Sequence, residues 1–104
     1  MIEQIYELYK GEEKSIKRII ADENINLNHM VLNFGETLPV HYSNSTVYMT
    51  VVRGVLTIRL DEQQENNYKK GTVLKIPYNT KMNVNNTSNK TLELIVVKAP
   101  APKA

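Results

Sequence analysis

Residues 35–54 read GETLPVHYSNSTVYMTVVRG, and this stretch decides the fold. It opens on a turn at Gly35-Glu36 and carries Pro39, which has no N–H to give a central strand. His41 follows in a polar and aromatic setting. From Thr46 the chain becomes a β-branched run. Val47, Met49 and Val51 fall on one face of it, and Tyr48, Thr50 and Val52 on the other. Gly54 ends the run and is expected to close a tight hairpin into VLTIRL, residues 55–60.

Outward from this stretch the same period of two recurs. In residues 25–34, INLNHMVLNF, Ile25, Leu27, His29 and Val31 share one face, and Asn26, Asn28, Met30, Leu32 and Phe34 share the other. The polar and apolar sides swap along the segment, so both faces are expected to be partly buried. SIKRIIA, residues 15–21, is expected to be a strand before the turn at Asp22. Residues 1–10, MIEQIYELYK, suit a helix or a strand equally. Past Leu60, residues 61–67 are polar and read as a loop. Strands are expected at 72–76, 81–84 and 92–97, with a turn at Pro77-Tyr78-Asn79 and a loop at 85–90. APAPKA, residues 99–104, is expected to be a disordered tail, leaving one domain over 1–98. Many short strands with turn residues between them indicate an all-β sandwich or barrel.

Composition narrows the class. A chain of 104 residues with 41% apolar content can bury a core of its own. It has no cysteine, so disulfides, zinc knuckles and thiol nucleophiles are excluded, and a reducing cytoplasm is the expected location. No apolar run approaches the roughly 18 residues of a membrane span, and the N-terminus lacks the order of a signal peptide. The 13 basic and 11 acidic residues are scattered, where a nucleic-acid partner calls for a clustered basic stripe. Neither a nucleic acid nor a membrane is expected as a partner.

Two glycine-led blocks carry a resemblance. Gly35, His41, Ser43 and Gly54 form the first; Gly71, Pro77, Asn79, Met82 and Asn86 form the second. Their spacing resembles the two sequence blocks of the cupins, small RmlC-like barrels, over residues 35–86. The resemblance implies a double-stranded β-helix, the jelly-roll kind of barrel. It also implies metal-ligand positions, which here hold His41, Ser43, Val47 and Met82. One imidazole, a hydroxyl, an isopropyl group and a thioether do not make the three-histidine, one-carboxylate set that the family uses. Neither a metal nor another cofactor is expected.

The expected pocket is therefore lined by His41, Ser43, Val47, Met49 and Met82, and its ligand is a small molecule bound without metal. His41 is the candidate acid–base residue, set against a plain hydrogen-bonded histidine. An isomerase, epimerase or lyase using His41 is the catalytic alternative. Soft-metal binding by Met30, Met49 and Met82 is set against space filling. Ser43, two residues from His41 on an extended segment, reads as a hydrogen-bonding pocket residue. His29 reads as a core or edge histidine, with a place in the cavity of His41 as the alternative. A structural or accessory homodimer is the remaining alternative, and a homodimer is expected from the apolar residues in 1–20, which exceed what one small barrel needs.

Overall fold

Nine strands carry the period-two pattern through the chain. They are β1 (Ser15–Ala21), β2 (Asn26–Leu32), β3 (His41–Tyr42), β4 (Thr46–Arg53), β5 (Val55–Leu60), β6 (Asn66–Lys69), β7 (Val73–Ile76), β8 (Lys81–Asn85) and β9 (Leu92–Ala99). The computed structural model describes residues 1–103, and among these there is no helix. A five-stranded sheet has the order β1-β2-β9-β4-β7, and a four-stranded sheet has the order β3-β8-β5-β6. The ladders between named strands are antiparallel.

Directly paired residues in an antiparallel ladder share a face, so the register shows what each sheet turns inward. On the five-stranded sheet, Val47, Met49 and Val51 point in with Leu92, Leu94 and Val96. On the four-stranded sheet, Leu56, Ile58, Met82 and Val84 meet them. These side chains, with Leu32, Leu38 and Ile76, form one continuous core. Fully burying an aliphatic side chain of this size contributes about 1.5–3 kcal/mol, so the apolar packing between the sheets is what holds them together.

Several local expectations change. Gly54 does not close a hairpin, because β4 and β5 lie in different sheets. It turns the corner between them at φ +80°, and a Cβ there would run into the backbone of Thr91 and Leu92. β6 begins inside the expected loop. Its asparagines are poor strand formers, yet backbone pairing to β5 sets Tyr68 opposite Leu56. Asn79 is left-handed, at φ 63°, as the turn at Pro77 requires. Residues 1–10 form neither helix nor ladder strand. The tail also departs from expectation. Ala99 closes β9, Pro100 accepts a hydrogen bond from Ser45 Oγ, and Ala101 N–H donates to Asn24 O at 2.9 Å. Ala104 lies outside the described residues.

Candidate functional site at the polar end of the barrel

The residues expected to line the pocket are not brought together as a cavity wall. Val47, Met49 and Met82 are buried members of the core, each touching the apolar packing between the sheets. Ser43 is 3% exposed and is committed to the chain around it. Its hydroxyl donates to Pro77 O at 2.6 Å and accepts from Thr80 N–H at 2.8 Å, while its backbone bonds Thr80 O and Asn79 N–H. Asn86 plays the same part for the second block, donating to Leu32 O and Lys90 O. The two residues fasten turns.

His41 stands opposite Met82 in the β3–β8 ladder, yet it is exposed because β3 is the short edge strand. Its Nδ1 lies 2.8 Å from Pro39 O. His29 cannot share a cavity with it. The β2 register turns Met30 and Leu32 inward and His29 outward, where its Nε2 lies 2.7 Å from Glu93 Oε2.

Among the described residues no three His, Cys, Asp or Glu side chains converge. The cupin metal does not fit this donor set. Ser43 has spent its oxygen on the turn, and Val47 and Met82 have no strong donor to offer.

What occupies that end of the barrel instead is basic and amide-rich. Across the inner face of the five-stranded sheet, one row runs Asn26, Lys98, Val47, Ile76. The next runs Arg18, Asn28, Val96, Met49, Leu74. The rows beyond are apolar: Met30, Leu94 and Val51, then Leu32 and Leu92. Lys98 is thus the direct ladder partner of Val47, the position that the resemblance assigns to the metal-binding carboxylate. Arg18 and Lys98 form no ion pair among the described residues. Burial first, and then the Arg18 charge, hold the Lys98 ammonium below the ordinary lysine range. Asn26 and Asn28 beside them are buried, and Asn28 Oδ1 has no partner.

Lys98 is half-buried near the exposed Arg18 of the edge strand, and this like-charge pair and the unpaired buried amide oxygen cost free energy in a lone chain. An anion facing the cations and a hydroxyl donating to Asn28 Oδ1 relieve both. Sequence reading assigned Asn26 and Asn28 no function, although it placed them on the same face as Met30 and Leu32. That shared face was the available signal. A concavity of about 690 Å³ lies elsewhere, between Asn44–Thr46, Tyr78 and the Pro100–Lys103 segment.

The comparisons agree with this architecture. No family model matches the chain. It is 40% identical over 104 residues to an uncharacterized protein of Methanocaldococcus jannaschii, covering 99% of this chain and 90% of the relative. The crystal structure from that organism, of an RmlC-like cupin family protein with a double-stranded β-helix fold, matches at a TM-score of 0.93. That match covers 96% of this chain and 93% of the other at 40% identity. The chain belongs to the RmlC-like cupin family. More distant cupins share the fold alone. A cupin superfamily protein of Desulfitobacterium hafniense matches at a TM-score of 0.75 and 10% identity, over 88% of this chain and 82% of the other. A cupin domain of Bordetella pertussis matches at 0.71 and 15% identity, over 92% and 99%. In this cupin the blocks at residues 35–54 and 71–86 keep the family's turns, while the positions between them have become core and clamp.

Proposed function

We propose that this cupin binds a small hydroxylated anion, such as a hydroxy acid or a sugar acid, at the polar end of its barrel and without a metal. The observation that carries the reading is the orphaned, buried Asn28 Oδ1 flanked by two cations without an ion pair, half-buried Lys98 and Arg18, which is exposed on the edge strand β1 in the same row as Asn28. The ligand's charge faces the guanidinium and the ammonium, and its hydroxyl donates to Asn28. The reading assigns binding and no reaction. His41 is left outside the binding set, since its Nδ1 is held by Pro39 O at the edge of the other sheet.

The test is a thermal-shift and calorimetric panel of lactate, glycerate and gluconate, with the uncharged alcohols and inorganic phosphate as controls. Arg18→Gln and Lys98→Gln each lose about tenfold or more in affinity, the usual worth of a hydrogen bond to a charged group. Hydroxy acids that leave the protein unmoved, or that bind both variants as well as the parent, would sink the proposal. Stoichiometric transition metal in the purified protein, required for binding, would do so too.

A further inference from the structure

Lys98 differs from every other lysine of the chain. The others are exposed, whereas Lys98 is half-buried on the inner face of the five-stranded sheet. Its ladder partners are Asn26 and Val47, and Val96 lies two residues before it on the same face. All three are buried. An ammonium so placed gives up water without gaining an anion. Burial, and then the Arg18 charge, hold it below the ordinary lysine range. Poor solvation and a neighbouring cation are the two conditions that turn lysine into a nucleophile.

Few charged groups surround it. To this end of the inner face β2, β4 and β7 turn Asn26, Asn28, Val47, Met49, Leu74 and Ile76, none of which titrates. β1 adds Arg18, exposed at the sheet's edge. From the opposing sheet β5 and β8 present apolar side chains, and His41 shares the face of Met82 with its Nδ1 2.8 Å from Pro39 O. No carboxylate is among these groups, so nothing there pins Lys98 in its charged form.

Asn28 adds direction. It pairs with Val96 and therefore sits diagonally from Lys98 on the same face. Its buried Oδ1 is an acceptor without a partner. Against a carbonyl oxygen it would meet a second acceptor. Against the hydroxyl that forms when an amine adds to that carbonyl, it meets a donor. The site is complementary to the adduct more than to the free carbonyl compound.

We infer that Lys98 adds reversibly to the carbonyl carbon of a small 2-oxo acid whose carboxylate Arg18 holds, and that the product is an imine. The hold on the carboxylate rests on the anion reading above. The amine's lone pair forms the C–N bond, the carbonyl π pair moves to oxygen, and one proton passes from nitrogen to oxygen. The new hydroxyl donates to Asn28 Oδ1. It then leaves with the second nitrogen proton as water, and C=N remains. No oxidant or reductant is consumed. A hydroxy acid offers no carbonyl carbon and meets the ammonium instead.

Reductive trapping on the full chain tests this, with pyruvate as the probe, sodium cyanoborohydride as the reductant and peptide mass spectrometry as the readout. Lys98 takes a carboxyethyl group at least about tenfold faster than any other lysine, since a hydrogen bond from Arg18 to the carboxylate is worth about that factor in local concentration. Its labelling has a pH midpoint below that of the other lysines. Arg18→Gln, at an exposed position, keeps the circular dichroism of the parent and lowers pyruvate labelling of Lys98 about tenfold. Labelling of the other lysines stays the same. Pyruvate that labels Lys98 no faster than the exposed lysines overturns the inference, and so does preferential labelling that Arg18→Gln leaves unchanged. Calorimetry with glycerate on the same samples keeps the two readings apart. Glycerate bound through Arg18, with no preference for Lys98 in the trapping, overturns the imine alone; absence of both overturns both readings.

Discussion

Replacing Ser43 with alanine separates a turn clamp from a pocket residue. In the parent the hydroxyl fastens Ser43 to the Pro77–Thr80 turn, donating to Pro77 O at 2.6 Å and accepting from Thr80 N–H at 2.8 Å. Alanine removes both bonds, with unequal consequences. Pro77 O keeps the Thr80 hydroxyl at 2.8 Å, so it is not stranded. Thr80 N–H is stranded, because Thr80 is buried and water does not replace the lost oxygen. An orphaned buried donor costs about 1–3 kcal/mol, and a satisfied hydrogen bond contributes about 0.5–1.5 kcal/mol. The expected loss is about 2–3 kcal/mol, a large fraction of the roughly 5–15 kcal/mol that holds a small domain folded. Urea unfolding reads it as a lowered midpoint with an unchanged slope. Hydroxy-acid affinity stays at the parent's value. A loss below about 0.5 kcal/mol together with weakened ligand binding would refute the clamp and return Ser43 to the binding surface.

Gly54→Ala is expected to destabilise by about 3 kcal/mol or more, because the left-handed backbone and the clash with Thr91 and Leu92 backbone add together; the urea midpoint reads this. Lys98→Met is expected to raise the melting temperature at neutral pH by removing a cation that burial and Arg18 disfavour. The folded-state pKa of Lys98 lies below that of the unfolded chain. As pH rises from the folded value towards the ordinary lysine range, the unfolded state therefore holds more protons and the parent gains stability. The advantage of Lys98→Met shrinks across that alkaline window, and melting curves at a series of pH values check it. His41→Ala is expected to leave both stability, within about 0.5 kcal/mol, and hydroxy-acid affinity unchanged. A measurable loss of affinity would bring His41 back into the site.

Much of this fold was legible because its turns carry their chemistry in the sequence. Asn79 tolerates a left-handed turn, and Gly54 sits where only glycine fits. The strands announced themselves by alternation, but alternation does not say which sheet a strand joins. That is why Gly54 resembled a hairpin and proved to be a corner between sheets. The short strand His41–Tyr42 and the asparagine-led β6 had too little apolar content to show; backbone pairing to β8 and β5 makes them strands.

The site was less legible, for a physical reason. The sequence suggested that both faces of residues 25–34 are partly buried, but polar residues at period two ordinarily face water, so Asn26 and Asn28 were given no role. The β2–β9 register turns them inward instead, in line with Met30 and Leu32. Lys98 hid in the same way, after the apolar run of β9 that hands it to Val47 across the ladder. Only the pairing of β1, β2, β9 and β4 gathers the four polar residues at one end. The family blocks lead to Val47, the ladder partner of Lys98, but the residues that give that end its charge lie outside both blocks.

The most direct test of the anion site is the titration of Lys98 itself, followed by ¹⁵N and ¹³C resonance of its side chain with and without glycerate. Free protein should titrate below the ordinary lysine range, and saturating glycerate should move the midpoint upward, because a carboxylate beside the ammonium favours its charged form. An unmoved midpoint with the ligand demonstrably bound would place the anion elsewhere and contradict the account.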